Sequence, residues 1–381
     1  MQRKSLGMQY DVVIVGAGIF GTYAALYLAQ KDYRVLLLEK EKEVFRKASI
    51  VNQARLHGGY HYPRSIATAV MSDENKERFT QEHRDFINFS FDKYYAIDRY
   101  GSFTDAAQFE RFCQYLGIRC EPVHRHPLFN YDRLEALYLT TEYSFDPILI
   151  ADHYRQRLQK TKGIDLKLGV ELQQAQAQGQ EWYIEFKGQQ KKHLEMVTTP
   201  LVINATYAGS NTINELFGTR SIDLMHEISE IAFIHSPQVQ NMGLTVMDGP
   251  FGSIMPYGNS GLLSLSSVPY THHKVSYENQ PEFTCMGQAN TCRPDYLDDC
   301  NHCPAQPATN YRKMLKQMGR YFSDQVEWNY FSSFFTIKSK LQANFIDDGR
   351  PTEIRRLREK PDFYCIFAGK INSIYEIERL L

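Results

Sequence analysis

Residues 10–40 read YDVVIVGAGIFGTYAALYLAQKDYRVLLLEK, and the order of residue types in this stretch decides the fold. The apolar run Val12–Val15 has the character of a strand buried on both faces. Gly16, Gly18 and Gly21 follow in G-x-G-x-x-G spacing. The first glycine permits a tight turn, the second lets backbone approach a pyrophosphate, and the third lets the next helix lie close to the strand. Ala24, Ala25, Leu28 and Ala29 give that helix a small-residue face. A second apolar run, Val35–Leu38, ends at Glu39, where the ribose of a bound dinucleotide needs an acceptor. The glycine spacing alone is weak. Strand, loop, helix, strand and terminal acid in this order point to a dinucleotide site rather than a plain buried βαβ unit. Its expected contacts are Gly16, Gly18, Ile19, Phe20, Gly21, Glu39 and Lys40. The motif suits FAD and NAD equally, so the choice comes from the rest of the chain.

The chain has 381 residues, enough for two domains with large cores. A formal net charge of −1 provides no field to attract nucleic acid or an anionic membrane, so neither is expected as a partner. No apolar run approaches the ~20 residues of a membrane span. Residues 1–7 are polar and basic without the apolar stretch of a secretory signal, so a cytoplasmic location is expected. Seven cysteines, an odd number, argue against a disulfide scaffold. Tyrosine and phenylalanine are plentiful, which suits sheet cores as readily as aromatic-lined pockets.

The second informative stretch is residues 48–65, ASIVNQARLHGGYHYPRS. Gly58 and Gly59 would allow close approach of backbone to a flat ligand; a surface loop with turn glycines is the plainer alternative. The fingerprint, then S-x-x-N, then an H-G-G-x-x-Y-P-like run resemble the D-amino-acid oxidase superfamily of FAD-dependent oxidoreductases. Ser49, Asn52, His57, Gly58, Tyr62 and Pro63 are similar to the pattern of its 2-hydroxyglutarate dehydrogenase and glycerol-3-phosphate dehydrogenase branch. The resemblance implies that this segment wraps the flavin ring and pyrophosphate, with contacts at Ser49, Asn52, Gln53, Arg55, His57, Gly58 and Gly59. The stretch is identical to neither branch, so no substrate carries over.

Further along, residues 72–89 read as a charged amphipathic helix, 91–97 as a strand, 105–116 as a helix and 137–141 as a short strand. Glu142-Tyr-Ser-Phe-Asp-Pro147 resembles the family segment that returns the chain to the FAD domain. Asp146 and Pro147 start a helix that runs to about residue 160. Residues 164–172, 181–187 and 193–198 read as a three-stranded meander, with the Gln-rich 173–180 as a solvated turn. Such a meander is usual in FAD domains of this superfamily, so FAD is favoured over NAD. Residues 200–210, PLVINATYAGS, resemble the family's V-x-N-A-x-G-x-x-S run, with Thr206 and Tyr207 in place of a small residue. Cofactor contacts are implied at Val170, Ala205 and Thr206.

Residues 227–235, 243–248 and 253–268 alternate apolar and polar positions and read as antiparallel strands of a substrate-domain sheet. Met255, Pro256 and Tyr257 are a candidate pocket wall. The pair His272 and His273 reads as surface. Residues 311–322 read as a helix and 327–346 as a strand-rich segment, with Lys338, Lys340 and Gln342 on one alternating face. Residues 363–368 form the last buried strand. Gly369, Lys370 and Ile371 then open a helix whose N-terminus, by resemblance, faces the flavin pyrimidine. Cys285, Cys292, Cys300 and Cys303 lie within residues 284–307, a segment without a family counterpart. A structural zinc site is one reading of their C-x6-C-x7-C-x2-C spacing; a loop of free thiols is the other.

The expected architecture is α/β: a Rossmann-like FAD-binding domain with a three-stranded meander, and a substrate domain on a mixed, largely antiparallel sheet. The FAD domain would comprise 8–90, 145–222 and 345–381, and the substrate domain 91–144 and 223–344 with the Cys-rich insertion. The expected activity is an oxidoreductase with noncovalent FAD. A hydride would pass from a C–H beside an amine or hydroxyl of a small polar, anionic substrate to flavin N5. The electron acceptor, whether oxygen, quinone or protein, is open. His57 or His61 would accept the substrate's proton or serve as a structural residue of the flavin loop, Arg350 would clamp its carboxylate or form a salt bridge in a surface turn, Tyr257 would line its pocket and Lys370 would stabilise charge on reduced flavin. A flavin-dependent sugar mutase without net redox change, and a non-catalytic FAD-binding protein, are the alternatives. The glycine pair that closely follows the acid in those mutases is absent after Glu39.

Overall fold

The computed structural model describes residues 8–66, 69–70, 75–189, 193–289, 291–342, 352–367 and 369–379. One layer is a six-stranded sheet in the order Ile164–Lys167, Val35–Leu38, Val12–Val15, Leu201–Asn204, Asp362–Phe367, Glu353–Arg358. All neighbours run parallel except the last pair. Val12–Val15, Val35–Leu38 and Leu201–Asn204 are buried at every position, which is why their sequences are apolar without alternation. Helix Ile19–Gln30 covers one face, joined there by Ile150 and Tyr154 of helix Pro147–Lys160 and by Ile374 of the 3-10 helix Ile371–Arg379. The meander covers the other face, where Trp182, Ile184 and Phe186 pack against Val13, Val15, Leu36 and Leu38.

The second large sheet has nine strands and is mixed. Its longest pair is Leu224–His235 against Asn329–Leu341. Met242–Met247 runs parallel to Asp92–Asp98, and the other pairs are antiparallel. Residues 253–268 form the expected hairpin, Gly252–Pro256 with Leu263–Ser267. A three-stranded sheet of Arg55–Leu56, Tyr143–Phe145 and Ile87–Asn88 ties the 48–65 segment to the rest. Next to it Asp146 caps its helix through Ile148 N and Leu149 N at 3.0 and 3.1 Å. The other oxygen of Asp146 accepts Asn259 N at 3.2 Å, from the turn of that hairpin.

Two expectations from the sequence are corrected. Residues 164–167 pair with Val35–Leu38 in the parallel sheet, and the meander is Val170–Gln178, Glu181–Gly188 and Leu194–Thr199. The Gln-rich residues are therefore strand, and the turn shrinks to Gly179 and Gln180, with Gly179 at φ 64°. The inward residues there are only Leu172, Ala175 and Ala177, packed on the core. Small inward residues between outward glutamines gave a weak alternation that resembled a solvated turn. Second, of the helix expected over 72–89, residues 76–82 are helical, residues 87–88 are strand, and 72–74 lie outside the described residues. The helix ends where His83 N and His83 Nδ1 both reach Phe79 O, each at 3.0 Å.

Two predictions arise from this packing. A Cβ on Gly21 would lie 1.9 Å from Gly16 O and 3.2 Å from Ala205 Cβ, whereas one on Gly18 would meet only Ser49 Oγ at 3.0 Å. Gly21→Ala should therefore push the helix off its strand and abolish folded protein, while Gly18→Ala should still fold, as read by circular dichroism and thermal midpoint. The second concerns acid. Burial lowers the His83 and His226 imidazoles from 6.5 to about 4. Between those values the unfolded chain binds more protons than the fold, so stability is fully present above pH 6.5 and is lost as pH falls. The loss should reach about 3 kcal/mol per imidazole near pH 4, and His83→Phe should flatten the slope of thermal midpoint against pH.

Candidate active site

A cavity of about 1210 Å³ is lined by residues of both large sheets. At one end lies the glycine turn. Gly16 adopts φ +99°, and a Cβ there would lie 2.8 Å from Ala205 O, so only glycine lets these two chain segments meet. Gly18, Ile19 and Phe20 line the cavity, and the twelve-residue helix they open has no side-chain cap. Ile19 N donates to Ser49 Oγ at 3.1 Å, which ties the 48–65 segment to the fingerprint. Glu39 accepts Ala17 N at 2.7 Å and Glu41 N at 2.9 Å, while burial pushes its pKa up. Each carboxylate oxygen keeps a lone pair for a ribose hydroxyl. A long cavity, an acid held on backbone amides and a helix N-terminus that opens on the cavity fit FAD.

The Cys-rich segment closes this end, a position that no motif in the sequence indicated. Leu297 O accepts Lys40 Nζ and, at 2.8 Å, Lys47 Nζ. The Lys40 ammonium lies 4.4 Å from the Tyr296 ring centroid. Burial, and then the neighbouring Lys47, lower Lys40 to about 8. Arg46 pairs with Asp299 at 3.3 Å. Asp295 to Cys300 thus line the cavity opposite Glu39 and Val170.

The zinc expectation is not carried by the structure. Among the described residues no three His, Cys, Asp or Glu groups are placed to hold a metal. The four cysteines surround a small cavity walled by Ile228, Phe283 and Ile337. Burial pushes the Cys300 thiol up to about 12. In that apolar setting the thiols pack as small hydrophobic groups.

Toward the second sheet the cavity is lined by Asn52, Gln53, Arg55, His57 and His61, and by Thr206, Gly369, Lys370 and Ile371. The His57 and His61 rings lie 6.3 Å apart. His57 Nδ1 is 3.9 Å from Glu142 Oε1. Lys370 Nζ lies 4.1 Å from the Tyr62 ring centroid. Gly21, Gly58, Gly59 and the candidate wall Met255, Pro256 and Tyr257 do not line the cavity. Gly21 is spent on helix packing. Gly58 donates to Glu142 Oε1 at 3.3 Å, and Gly59, at φ +89°, fits beneath Ala69 O. Tyr257 sits behind the loop, its ring 4.7 Å from that of Phe233 and its hydroxyl donating to Ile50 O at 2.8 Å. Arg350 lies outside the described residues.

Other cavity groups escaped the sequence reading. Arg64 Nε holds Asp248 Oδ2 at 2.6 Å. His272 lines the cavity rather than the outer surface, 3.1 Å from Glu227, which also takes Lys340 at 2.9 Å. Beneath Arg55 lie two buried residues, Glu142 and Lys93. Burial, and then the Arg55 guanidinium, press the Lys93 pKa far down. The visible signal was a lone lysine among the apolar and aromatic residues 93–97.

The family model for FAD dependent oxidoreductases matches residues 11–327. The chain is 21% identical over 371 residues to the FAD-dependent monooxygenase FPY4 of Fusarium mangiferae, covering 96% of this chain and 88% of that protein. Its fold is similar to glycine oxidase from Geobacillus kaustophilus, with TM-score 0.68 and 14% identity over 98% of this chain and 95% of that one. FAD-bound L-alpha-glycerophosphate oxidase from Mycoplasma pneumoniae gives TM-score 0.67 and 15% identity over 97% and 93%. The chain belongs to the FAD dependent oxidoreductase family, as the fingerprint and the meander had led us to expect.

Proposed function

We propose that the enzyme oxidises a C–H beside an amine or hydroxyl of a small polar, anionic substrate, with FAD held noncovalently. The observation that carries this reading is the continuity of the cavity, from Glu39 at the fingerprint to His57, Lys370 and the polar face of the second sheet. Bound FAD would supply the hydride acceptor, its N5. Glu39 would take the ribose hydroxyls, and the helix beginning at Ile19 would face the pyrophosphate. His57, with Nδ1 toward Glu142, would accept the substrate's proton at Nε2. The Lys370 ammonium would stabilise negative charge at the flavin end of the cavity. The domain division set out above assigns the fingerprint, meander and C-terminal segment to FAD and the nine-stranded sheet to substrate.

A second reading, insertion of an oxygen atom into the product, is favoured by the name of the Fusarium relative. The two differ in what becomes of oxygen: simple oxidation with oxygen as acceptor yields one peroxide per turnover, whereas insertion leaves one labelled oxygen atom in the product and, with two electrons from an added nicotinamide reductant, reduces the other to water.

Purified protein should be yellow, and an anaerobic screen of amines, hydroxy acids and polyols should find one that bleaches it. A protein that holds flavin but is bleached by no member of these classes would overturn the substrate class. Glu39→Ala should weaken FAD retention by about 1.5–3 kcal/mol, the worth of a charge-assisted hydrogen bond. Unchanged FAD occupancy after dialysis would assign the ribose to another residue.

A further inference from the structure

Thr245 and Ser253 face each other across strands Met242–Met247 and Gly252–Pro256, and both hydroxyls belong to residues that line the cavity. Behind them lies an unusual concentration of buried charge. Arg55 is 5% exposed, Lys93 1% and Glu142 1%. Arg55 Nη2 donates to Thr245 Oγ1 at 2.9 Å and to Ser253 Oγ. Lys93 Nζ donates to Thr245 Oγ1 at 2.6 Å. The anion in contact is Glu142, 3.6 Å from Arg55 Nε, and it also accepts the Tyr95 hydroxyl at 2.8 Å. A guanidinium and a lysine thus stand against one carboxylate, and the excess is positive whenever Lys93 holds its proton.

The protons on the two hydroxyls can be followed one by one. Guanidinium and ammonium groups only donate, and a hydroxyl oxygen has two lone pairs. With Lys93 charged, as a nearby anion would keep it, Arg55 and Lys93 occupy both lone pairs of Thr245. The Thr245 proton must then go to Ser253 Oγ, 3.1 Å away. Ser253 Oγ now accepts from Arg55 and from Thr245. No hydrogen bond among the described residues takes its own proton, and Arg55 Nε, buried, makes none, with the Glu142 carboxylate 3.6 Å away. Unmet donors at a buried positive site call for an oxygen acceptor with negative charge. Such an anion would also hold the Lys93 proton, which burial and Arg55 otherwise drive off.

We infer that Ser253, polarised through Thr245 by Arg55 and Lys93, anchors a carboxylate of the substrate. The inference rests on the reading of this cavity as the oxidoreductase site and gives its anionic substrate a binding partner. A flavin carbonyl is the other acceptor that could reach such a hydroxyl, so the test separates the two.

The probes are acetate and benzoate, titrated into the flavin-loaded protein and followed by the flavin's visible spectrum, with acetamide and benzamide as neutral controls. Carboxylates should bind and amides should bind far more weakly. Ser253→Ala should weaken carboxylate binding about ten-fold or more, and Lys93→Met likewise, with FAD occupancy and the flavin's reduction potential unchanged. Carboxylate affinity unaltered in both variants overturns the assignment, as does wild-type protein that binds neither acid. A shifted potential with unaltered carboxylate affinity gives the hydroxyl to the flavin and also overturns it. Protein purified without flavin would instead contradict the oxidoreductase reading. Carboxylate binding can then be followed by thermal midpoint, where loss in Ser253→Ala still supports the anchor.

Discussion

The close contact between Gly21 and Gly16 O is the constraint on which the rest of this structure depends. A side chain at position 21 would collide with the turn backbone, so its absence sets the distance between helix Ile19–Gln30 and the strand before it. That distance places the helix N-terminus at the cavity and puts Ala17 N within reach of Glu39. The parallel sheet is then closed by apolar groups on both faces, with the meander on one and helices on the other. Ser49, bonded to Ile19 N, carries the same registration into the 48–65 segment and from there to the second sheet.

The two ends of the cavity use charge differently. At the Glu39 end, cations are matched by nearby oxygens: Lys47 by Glu41 at 2.6 Å and by Leu297 O, Arg46 by Asp299. These contacts fasten the Cys-rich segment as a lid of backbone and aromatic groups. At the other end buried Lys93 of the second sheet meets buried Arg55 of the three-stranded sheet, with Glu142 beside Arg55. Burying such a set is costly unless every donor is met, and this cluster faces the cavity with its donors incompletely satisfied.

Much of this protein was legible in its residues taken alone. The fingerprint, with strand, turn, helix and acid in order, determined the parallel layer and the location of the dinucleotide end, because glycine placement and unbroken apolar runs are local properties with one compatible geometry. Alternation along 227–268 determined the second sheet in the same way, and Asp146-Pro147 marked a helix start that the structure retains. Reading failed where local pattern is ambiguous. The glutamines of 173–178 look solvated whether they lie in a turn or on the outer face of a strand, and only pairing with Glu181–Gly188 distinguishes the two.

Which side chains meet at the second-sheet end of the cavity was decided by tertiary structure. Lys93, Glu142 and the pair Thr245 and Ser253 are far apart in the chain, and no spacing rule connects them. They converge because parallel pairing sets Asp92–Asp98 beside Met242–Met247, and antiparallel pairing sets Gly252–Pro256 on its other edge. Tyr257, by contrast, lies four residues after Ser253, just past the end of strand Gly252–Pro256, and its ring packs in the cluster with Phe233. The sequence determines strands, helices and the glycine turn through short-range sterics and hydrophobic pattern. The site's chemistry depends on contacts across sheets, whose partners are chosen by register and burial.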